Sequence, residues 1–511
     1  MNVDSDSIFG SLLASSGILF IGLACRLGLG FLGRLVIARE LGKVSYGAVS
    51  LGAMMMTAVT TIVIIGTDTG VGRYLPRFDD PARRRGVMTS AFQIVVPVAL
   101  FAGVTIAVFA KTLATDVFHD PDLVNVLRIF GLTIPLVAVV RLTVGSIRGM
   151  QDAFPRVYIQ NLAVPVTRFG LIAVAVIAGL GSIGIAAAYA GAYAVATALS
   201  IHYLARRTPL FNALDAIPMH RDLLTFSAPL MITATMYMLL SNFDTFMLGA
   251  MASTGDVGVY NVAYPLAQLL TITLSAFGFI FMPTISELHS NGKTDEMART
   301  YEVVAKWIFV VSLPLFLVFV TYPGLIIRYT FGPEYSNGAL TLSILTIGFF
   351  AHIIAGPSGD MLTAIGKQRL VMYDNILVAG LNIVLNLILI PQYSYLGAAV
   401  ATTGSYFLMN GLFLVFLYRE TGVHPFRREQ IGPGLAAGVL WLCISWITTT
   451  VFTLTLSTFI VAEAIFIILY MIVVLRYGGI EDEEISLLNS FEERIPLSFG
   501  PMREVARYLI R

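Results

Sequence analysis

The residues of this sequence that could do chemistry are charged side chains inside long apolar runs. They are Arg26, Arg34, Asp68, Arg141, Arg168, Asp244, Asp360 and Glu463. Such charges are costly in a bilayer and normally face a protein interior or a water-filled cavity. Near the end of a run a side chain can instead reach the headgroups, an alternative that applies to Arg34, Asp68 and Asp244. Arg26 lies near the middle of its run, so we expect it to face a cavity.

The remaining side chains form no recognisable catalytic or metal-binding pattern. The histidines are scattered, and neither a G-x-S-x-G nucleophile motif nor a P-loop occurs. We therefore expect no metal, no cofactor and no ATP hydrolysis. Gly28, Gly30 and Gly33 spell G-x-G-x-x-G, but inside an apolar run rather than after a strand. There, small residues let helices approach closely or leave room along a cavity wall.

The composition indicates that a lipid bilayer surrounds the elements that position these charges. Of 511 residues, 57% are hydrophobic and only 12% are charged, and the mean hydropathy is +0.82. A soluble protein of this composition could not cover its surface with polar groups. The net charge of +1 and the absence of charged blocks exclude a nucleic-acid partner. Cys25 and Cys443 both lie in apolar runs and are interpreted as buried small residues, not a disulfide.

Fourteen apolar runs are long enough to cross a bilayer as helices, which takes about 20 residues each. They are 10–37, 46–66, 87–110, 123–145, 157–179, 183–204, 226–250, 260–281, 305–322, 339–361, 373–390, 397–418, 431–450 and 455–475. Strands of a membrane barrel are shorter and alternate in polarity. The sequence therefore predicts an all-α polytopic membrane protein with about fourteen transmembrane helices.

Basic residues in the loops predict the orientation of the spans. Eighteen Lys and Arg residues fall in loops on the side of the N-terminus, against four on the other side, namely Arg39, Lys43, Lys111 and Arg328. Because cytoplasmic loops carry the excess of positive charge, both termini are predicted to be cytoplasmic.

The chain also repeats itself. Residues 147–200 and 364–413 share a basic loop, a span, a tight turn, a small-residue motif and another span, and Tyr46-Gly47 matches Val257-Gly258. A six-span repeat predicts two six-helix bundles related by a pseudo-two-fold axis along the membrane normal, plus two C-terminal helices. We assign 1–210 to the N-lobe, 211–425 to the C-lobe, 426–475 to the last two helices and 476–511 to a cytoplasmic tail.

Several motifs in fixed order resemble the polysaccharide-biosynthesis flippases of the multidrug/oligosaccharidyl-lipid/polysaccharide exporter superfamily. The motifs are Ala38-Arg39-Glu40-Leu41-Gly42 through Tyr46-Gly47, Gly66-Thr67-Asp68, Asp244-Thr245-Phe246-Met247-Leu248-Gly249, Met282-Pro283-Thr284-Ile285-Ser286-Glu287, Phe331-Gly332-Pro333-Glu334-Tyr335 and Leu381-Asn382-Ile383-Val384-Leu385-Asn386. The resemblance covers about residues 8–475. It implies a cavity that opens alternately to each side, and a polyprenyl- or dolichyl-linked sugar as substrate.

In that family context, four arginines are the predicted substrate-binding residues, because arginine binds the phosphate linkage of such lipids well. They are Arg26, Arg34, Arg141 and Arg168. Asp68, Asp244 and Asp360 are the predicted gating or ion-coupling residues, with an Arg141–Asp360 pair at the inner gate and an Arg34–Asp244 pair at the outer gate.

The alternatives are a multidrug exporter or a peptidoglycan-precursor flippase of the same fold, and a membrane glycosyltransferase or ligase. Drug exporters of the superfamily often carry an acid in the first helix, whereas this sequence has no acid between residues 7 and 39. A glycosyltransferase would need a large loop with clustered acids or histidines. We therefore expect a monomeric flippase in the cytoplasmic membrane. Its partners would be membrane lipids, the lipid-linked sugar, and glycosyltransferases or a polymerase of the same pathway.

Overall fold

The computed structural model describes residues 5–150, 157–208, 210, 215–425, 428–453 and 455–477. Within these ranges all regular structure is helical, and no strand occurs. The predicted all-α class is therefore confirmed. The proposed tail beyond residue 477 lies outside the described residues.

The first half of the chain forms eight helices. They are α1 (Ser5–Val63), α2 (Thr67–Tyr74), α3 (Pro81–Thr112), α4 (Leu123–Gly149), α5 (Val164–Ile177), α6 (Gly181–Arg207), α7 (His220–Met251) and α8 (Thr254–Gln268). A 3-10 turn, Leu75–Arg77, follows α2, and the π-helical segments Leu113–Val117 and Val157–Ala163 extend α3 and precede α5.

The second half also contains eight helices among the described residues. They are α9 (Thr271–Ser290), α10 (Thr294–Thr321), α11 (Pro323–Thr330), α12 (Ala339–Ile354), α13 (Ser358–Ala364), α14 (Gln368–Thr421), α15 (Arg428–Val451) and α16 (Leu456–Tyr477). A 3-10 segment, Pro333–Gly338, links α11 to α12.

Ten helical ranges of the described chain are long and apolar enough to cross a membrane, and the bent pair formed by α8 and the start of α9 gives up to eleven. The ranges within α1 and α14 are 42 and 54 residues long, twice what one crossing requires. Each contains a kink, at Gly42 (φ 78°, ψ 170°) and at Ser394 (φ 50°, ψ −129°). The chain is thus a multi-pass membrane protein, and the number fourteen stays a prediction.

The outward faces of these helices carry apolar side chains, as a lipid environment requires. Phe101 and Ile177 are 75% and 86% exposed, and large apolar side chains are exposed along most of the long helices. Both cysteines are free: Cys25 is half-buried and Cys443 is exposed. The prediction that both are buried is therefore wrong for Cys443, which lies on the apolar outer surface of its helix, where lipid replaces protein packing.

The described residues divide into two compact units. The first consists of Met1–Asn261 with Ile390–Tyr395, and the second of Val262–Leu389 with Leu396–Arg511. The first unit therefore includes α7 as well as α1 to α6. The lobe boundary after residue 210 was assigned from the sequence repeat and stays a prediction.

Each unit joins two of its helices by a polar contact at similar positions of the repeat. In the first unit, the Thr197 hydroxyl donates to the Leu136 carbonyl at 3.1 Å, joining α6 to α4. In the second, Nδ1 of His352 lies 3.0 Å from Oδ1 of Asn410, joining α12 to α14. The sequence repeat places Thr197 at Asn410 and Leu136 within one residue of His352. The two-bundle symmetry itself stays a prediction.

A second sign of symmetry lies in the first unit, where the kinked part of α1 meets the start of α8. A Cβ atom at Gly47 would overlap the Thr254 carbonyl, and one at Gly258 would overlap the Lys43 carbonyl. The offset from Lys43 to Thr254 equals the offset from Gly47 to Gly258, as the match of Tyr46-Gly47 with Val257-Gly258 requires. The two glycines thus let equivalent backbone segments cross at close range. We call this contact the glycine crossing.

Candidate functional site

Helix α1 places two of the predicted arginines along one stripe. Arg26, Gly30 and Arg34 follow one another at intervals of four residues, which on a helix stacks them about 6 Å apart with a rotation of about 40° at each step. Arg26 is half-buried and Arg34 is exposed. The missing side chain at Gly30 leaves a gap between the two arginines.

A third arginine, from α5, fills that gap. A Cβ atom at Gly30 would lie 3.7 Å from Nη2 of Arg168. The guanidinium of Arg168 therefore lies against α1 at a level between Arg26 and Arg34. Three cationic side chains thus fall within roughly 12 Å along the helix axis.

The packing of α5 and the preceding π-helical segment against α1 sets this position. A Cβ atom at Gly33 would lie 3.5 Å from Cδ1 of Ile172, and one at Gly22 would lie 3.2 Å from Cβ of Asn161. Within the G-x-G-x-x-G motif, Gly33 therefore faces the apolar side chains of α5, and Gly30 faces the Arg168 guanidinium.

Two tyrosines of α6 interact with Arg168. The Arg168 guanidinium carbon lies 4.9 Å from the centre of the Tyr189 ring, a cation–π contact. Tyr193, one turn further along α6, is within electrostatic range of both Arg168 and Arg141. Tyr46 of α1 is likewise within range of Arg34.

Arg141 completes the set from α4. Its Nη1 atom donates a hydrogen bond to the Thr61 hydroxyl of α1 at 3.2 Å. The first unit therefore holds all four predicted substrate-binding arginines, and the three tyrosines connect Arg34, Arg141 and Arg168 into one neighbourhood. We call these seven side chains the arginine–tyrosine cluster: Arg26, Arg34, Arg141, Arg168, Tyr46, Tyr189 and Tyr193.

The arginines of the cluster have no acidic partner in the described part of the chain. The ion pairs of the described residues, Lys293–Glu296 and Lys367–Glu420 among them, include none of the four arginines. Unpaired guanidinium groups between apolar helices are unfavourable unless an anion or water compensates them. The arrangement is chemically suited to an anion that presents several acceptor oxygens.

Substitution of Gly30 tests whether Arg168 must occupy the gap. We expect Gly30→Leu to displace the Arg168 side chain and to lower transport at least about tenfold, the loss of one charge-assisted contact. Gly28→Leu is the matched control, because a Cβ atom at Gly28 meets nothing within 4 Å. Transport is measured in reconstituted vesicles at equal protein content, and equal rates for the two variants would contradict the assignment.

Asp244 lies in α7 with a partner other than the predicted one. It is 6% exposed, and its Oδ2 atom accepts a hydrogen bond from the Tyr260 hydroxyl of α8 at 2.8 Å. Arg34 forms no ion pair with Asp244 or with any other described carboxylate. The outer-gate pair is therefore not made in this structure, and its role in another state stays a prediction.

Removal of the tyrosine hydroxyl tests the importance of this hydrogen bond. We expect Tyr260→Phe to lower the free energy of unfolding by about 1–3 kcal/mol, because a buried carboxylate oxygen loses a donor. The thermal unfolding midpoint in detergent should fall accordingly. Tyr373→Phe serves as the control, since Tyr373 is 61% exposed. Unchanged unfolding of Tyr260→Phe would show that other contacts satisfy Asp244.

The other two predicted aspartates each lie in the first turn of a short helix. Asp68 lies in the first turn of α2, and its Oδ1 atom accepts from the Thr69 amide at 2.8 Å. Asp360 lies in the first turn of α13, with Oδ2 3.1 Å from the position of a Cβ atom at Gly278. A carboxylate at a helix N-terminus is favourable for the helix itself. Asp68 and Arg141 belong to the first unit and Asp360 to the second, and the Arg141–Asp360 pair stays a prediction.

The cluster tyrosines and Asp374 were not among the residues predicted from the sequence. The tyrosines of the cluster carry a readable signal, because Tyr189 and Tyr193 are four residues apart and share a helix face. Asp374 in α14 is 2% exposed, and neither carboxylate oxygen has a hydrogen-bond partner among the described residues. Asp374 is the second residue of the predicted span 373–390, and its sequence position gives no sign of this burial. In the described ranges, no three His, Cys, Asp or Glu side chains are grouped as a metal site.

Comparison with known proteins gives two family matches. The family described as "Polysaccharide biosynthesis protein" matches residues 12–289, more than half of the chain, and the MatE family matches residues 229–388. Among curated proteins, the chain is 22% identical over 392 residues to the putative O-antigen transporter of Shigella flexneri, covering 75% of this chain and 91% of the relative.

A further relative comes from Haloferax volcanii. The chain is 26% identical over 256 residues to the probable flippase AglR of Haloferax volcanii, covering 49% of this chain and 51% of AglR. Several relatives are thus matched over about half of their length or less.

The structure of the lipid II flippase MurJ in an inward closed conformation is similar with a TM-score of 0.71, 14% identity and coverage of 90% of this chain and 97% of MurJ. An inward-facing MATE transporter gives a TM-score of 0.67 at 14% identity, with coverage of 80% and 98%. At these identities the structures show a shared fold. The family match, which extends over more than half of the chain, establishes that this protein belongs to the polysaccharide biosynthesis proteins of the multidrug/oligosaccharidyl-lipid/polysaccharide exporter superfamily.

Proposed function

We propose that the chain moves a lipid-linked saccharide across the cytoplasmic membrane by alternating access, for surface polysaccharide or protein glycosylation. The observation that carries this proposal is the arginine–tyrosine cluster, in which three unpaired arginines lie within roughly 12 Å along α1. A polyprenyl- or dolichyl-linked sugar carries a phosphate or diphosphate between its lipid and its glycan. That linkage is the part of the substrate that the cluster would bind.

The chemistry of the cluster and of the outer helix faces matches each part of such a substrate. Guanidinium groups donate pairs of hydrogen bonds to phosphate oxygens and retain their charge at any physiological pH. Tyrosine hydroxyls both donate and accept, as sugar hydroxyls require, and offer a flat apolar ring beside them. The lipid tail would stay in the bilayer, against the apolar outer faces of the helices.

The surroundings of the transporter follow from the same proposal. The excess of basic loop residues on the N-terminal side supports a cytoplasmic location of both termini. The lipid-linked sugar would be made on that side by glycosyltransferases and used on the other side by a polymerase or transferase. We expect the chain to act as a monomer, and no step forms or breaks a covalent bond.

The positive charge of the arginine–tyrosine cluster argues against the multidrug-exporter alternative. A cluster of unpaired arginines repels the organic cations that such exporters carry. Flipping of a peptidoglycan precursor remains the second candidate, because the similarity to the MurJ fold favours it and its diphosphate linkage presents the same anionic chemistry to the arginines.

A reconstituted flipping assay distinguishes these functions. The full chain is placed in vesicles that contain a fluorescent polyprenyl-diphosphate saccharide, lipid II or a fluorescent organic cation, and access to an external quencher is followed. We expect the saccharide lipid to cross fastest, and empty vesicles to show the background. Transport of the organic cation alone would refute the proposal, and faster transport of lipid II would select the second candidate.

A further inference from the structure

A second basic site lies in the first unit, apart from the arginine–tyrosine cluster. It is a cavity of about 380 Å³ between the first turns of α3, the end of α4 and the last turn of α6. Three arginines line it: Arg84 from α3, and Arg206 and Arg207 from α6. It shares no residue with the cluster.

Arg84 carries an unsatisfied donor at this cavity. Its Nε atom is buried and has no hydrogen-bond partner among the described residues. A buried donor without an acceptor is unfavourable, and more so when the group is charged. None of the three arginines forms an ion pair with a described carboxylate. The cavity therefore presents guanidinium donors for which the described chain supplies no acceptor.

The rest of the lining is apolar apart from Thr208. Leu75, Pro81, Met88, Met150 and Ala205 contribute to the walls beside the three arginines. A site for a small soluble anion needs no such surface, whereas the glycerol and upper acyl region of a lipid does. Arg206 and Arg207 are exposed and end a membrane-spanning range, where headgroups are expected.

We propose that this cavity binds the phosphate of an anionic membrane lipid. Arg84 would donate to the phosphate from α3, and Arg206 and Arg207 would donate to it from the end of α6. Basic pockets between transmembrane helices on the cytoplasmic side are known to bind acidic headgroups. The bound lipid would join α3 to α6 and stabilise the first unit, whichever substrate the transporter carries.

Lipid-dependent stability of the purified full chain tests this site. We expect phosphatidylglycerol to raise the thermal unfolding midpoint of the wild type in detergent saturably, and more strongly than phosphatidylcholine. The triple variant Arg84→Gln, Arg206→Gln, Arg207→Gln should need at least about tenfold more phosphatidylglycerol for half of the effect, since charge-assisted hydrogen bonds are lost. Direct counting of bound lipid by native mass spectrometry should agree.

The control removes the same charge outside the cavity. Arg77, Arg83 and Arg221 are exposed and belong to the same unit, and their triple replacement by Gln should leave the lipid response unchanged. If the first triple variant does not fold, the exposed pair Arg206→Gln, Arg207→Gln should still weaken the response several-fold. An equal lipid response in the cavity variants and the wild type would overturn the proposal. Inorganic phosphate that reproduces the stabilisation and competes with the lipid would reject a lipid ligand.

Discussion

Replacing Arg168 with glutamine is expected to lower the flipping rate of a lipid-linked saccharide at least about tenfold at subsaturating substrate. A charge-assisted hydrogen bond contributes about 1.5–3 kcal/mol, which corresponds to about ten- to a hundredfold in binding. Arg168 lies between the levels of Arg26 and Arg34 and against the Tyr189 ring, so its loss leaves the centre of the cluster without charge. Arg168→Lys should recover part of the rate, because it keeps the charge but not the planar fork.

Arg26 should bind the same phosphate linkage as Arg168. Arg26→Ala is expected to abolish glycan export at normal protein abundance. If both arginines bind one phosphate linkage, the effects of Arg26→Gln and Arg168→Gln should be less than additive in the double variant. Arg128→Gln is the matched control, because Arg128 is exposed and donates only to Asn125 of its own helix. Full export in Arg26→Ala, or wild-type rates in Arg168→Gln, would refute the role of the cluster.

The sequence marks candidate site residues more readily than it predicts which of them lie together. Composition and run length correctly predicted an all-α membrane protein, because the bilayer demands long apolar helices. The mid-run arginines stood out because charge is costly there. Their convergence depends on how α5 rotates and slides against α1, and Arg168 meets Gly30 only through that packing. Helical periodicity within one run does not determine the register between two runs.

Asp244 is a second residue whose partner the sequence does not determine. Repeat alignment placed it opposite Gly33, beside Arg34, and suggested a charge pair. The structure instead gives it the hydroxyl of Tyr260, which lies only 16 residues further along the chain. A local partner across a tight turn was available, and a neutral donor satisfies a buried carboxylate with less ordering of long side chains than an arginine needs. The family motif that contains Asp244 gave no information about this contact.

The second large effect is expected at the glycine crossing. There α1 and α8 approach so closely that Gly47 and Gly258 leave no room for a Cβ atom. If the cavity opens at the glycine crossing during transport, the crossing segments of α1 and α8 must separate. A disulfide across them should therefore hold the protein in one state, because transport requires both states in every cycle.

Val44 and Gly255 provide the positions for this cross-link. A Cβ atom at Gly255 would lie 3.6 Å from Cγ2 of Val44, so the two side chains are in contact without overlap. In a background with Cys25→Ala and Cys443→Ala, the pair Val44→Cys, Gly255→Cys should form a disulfide on oxidation, and flipping should fall more than about tenfold, to the level of empty vesicles. Each single-cysteine variant should be unaffected by oxidant, and a reductant should restore the paired variant. If the oxidised pair flips lipid at the wild-type rate, the crossing is a fixed structural joint, and the cavity must open without separating α1 from α8.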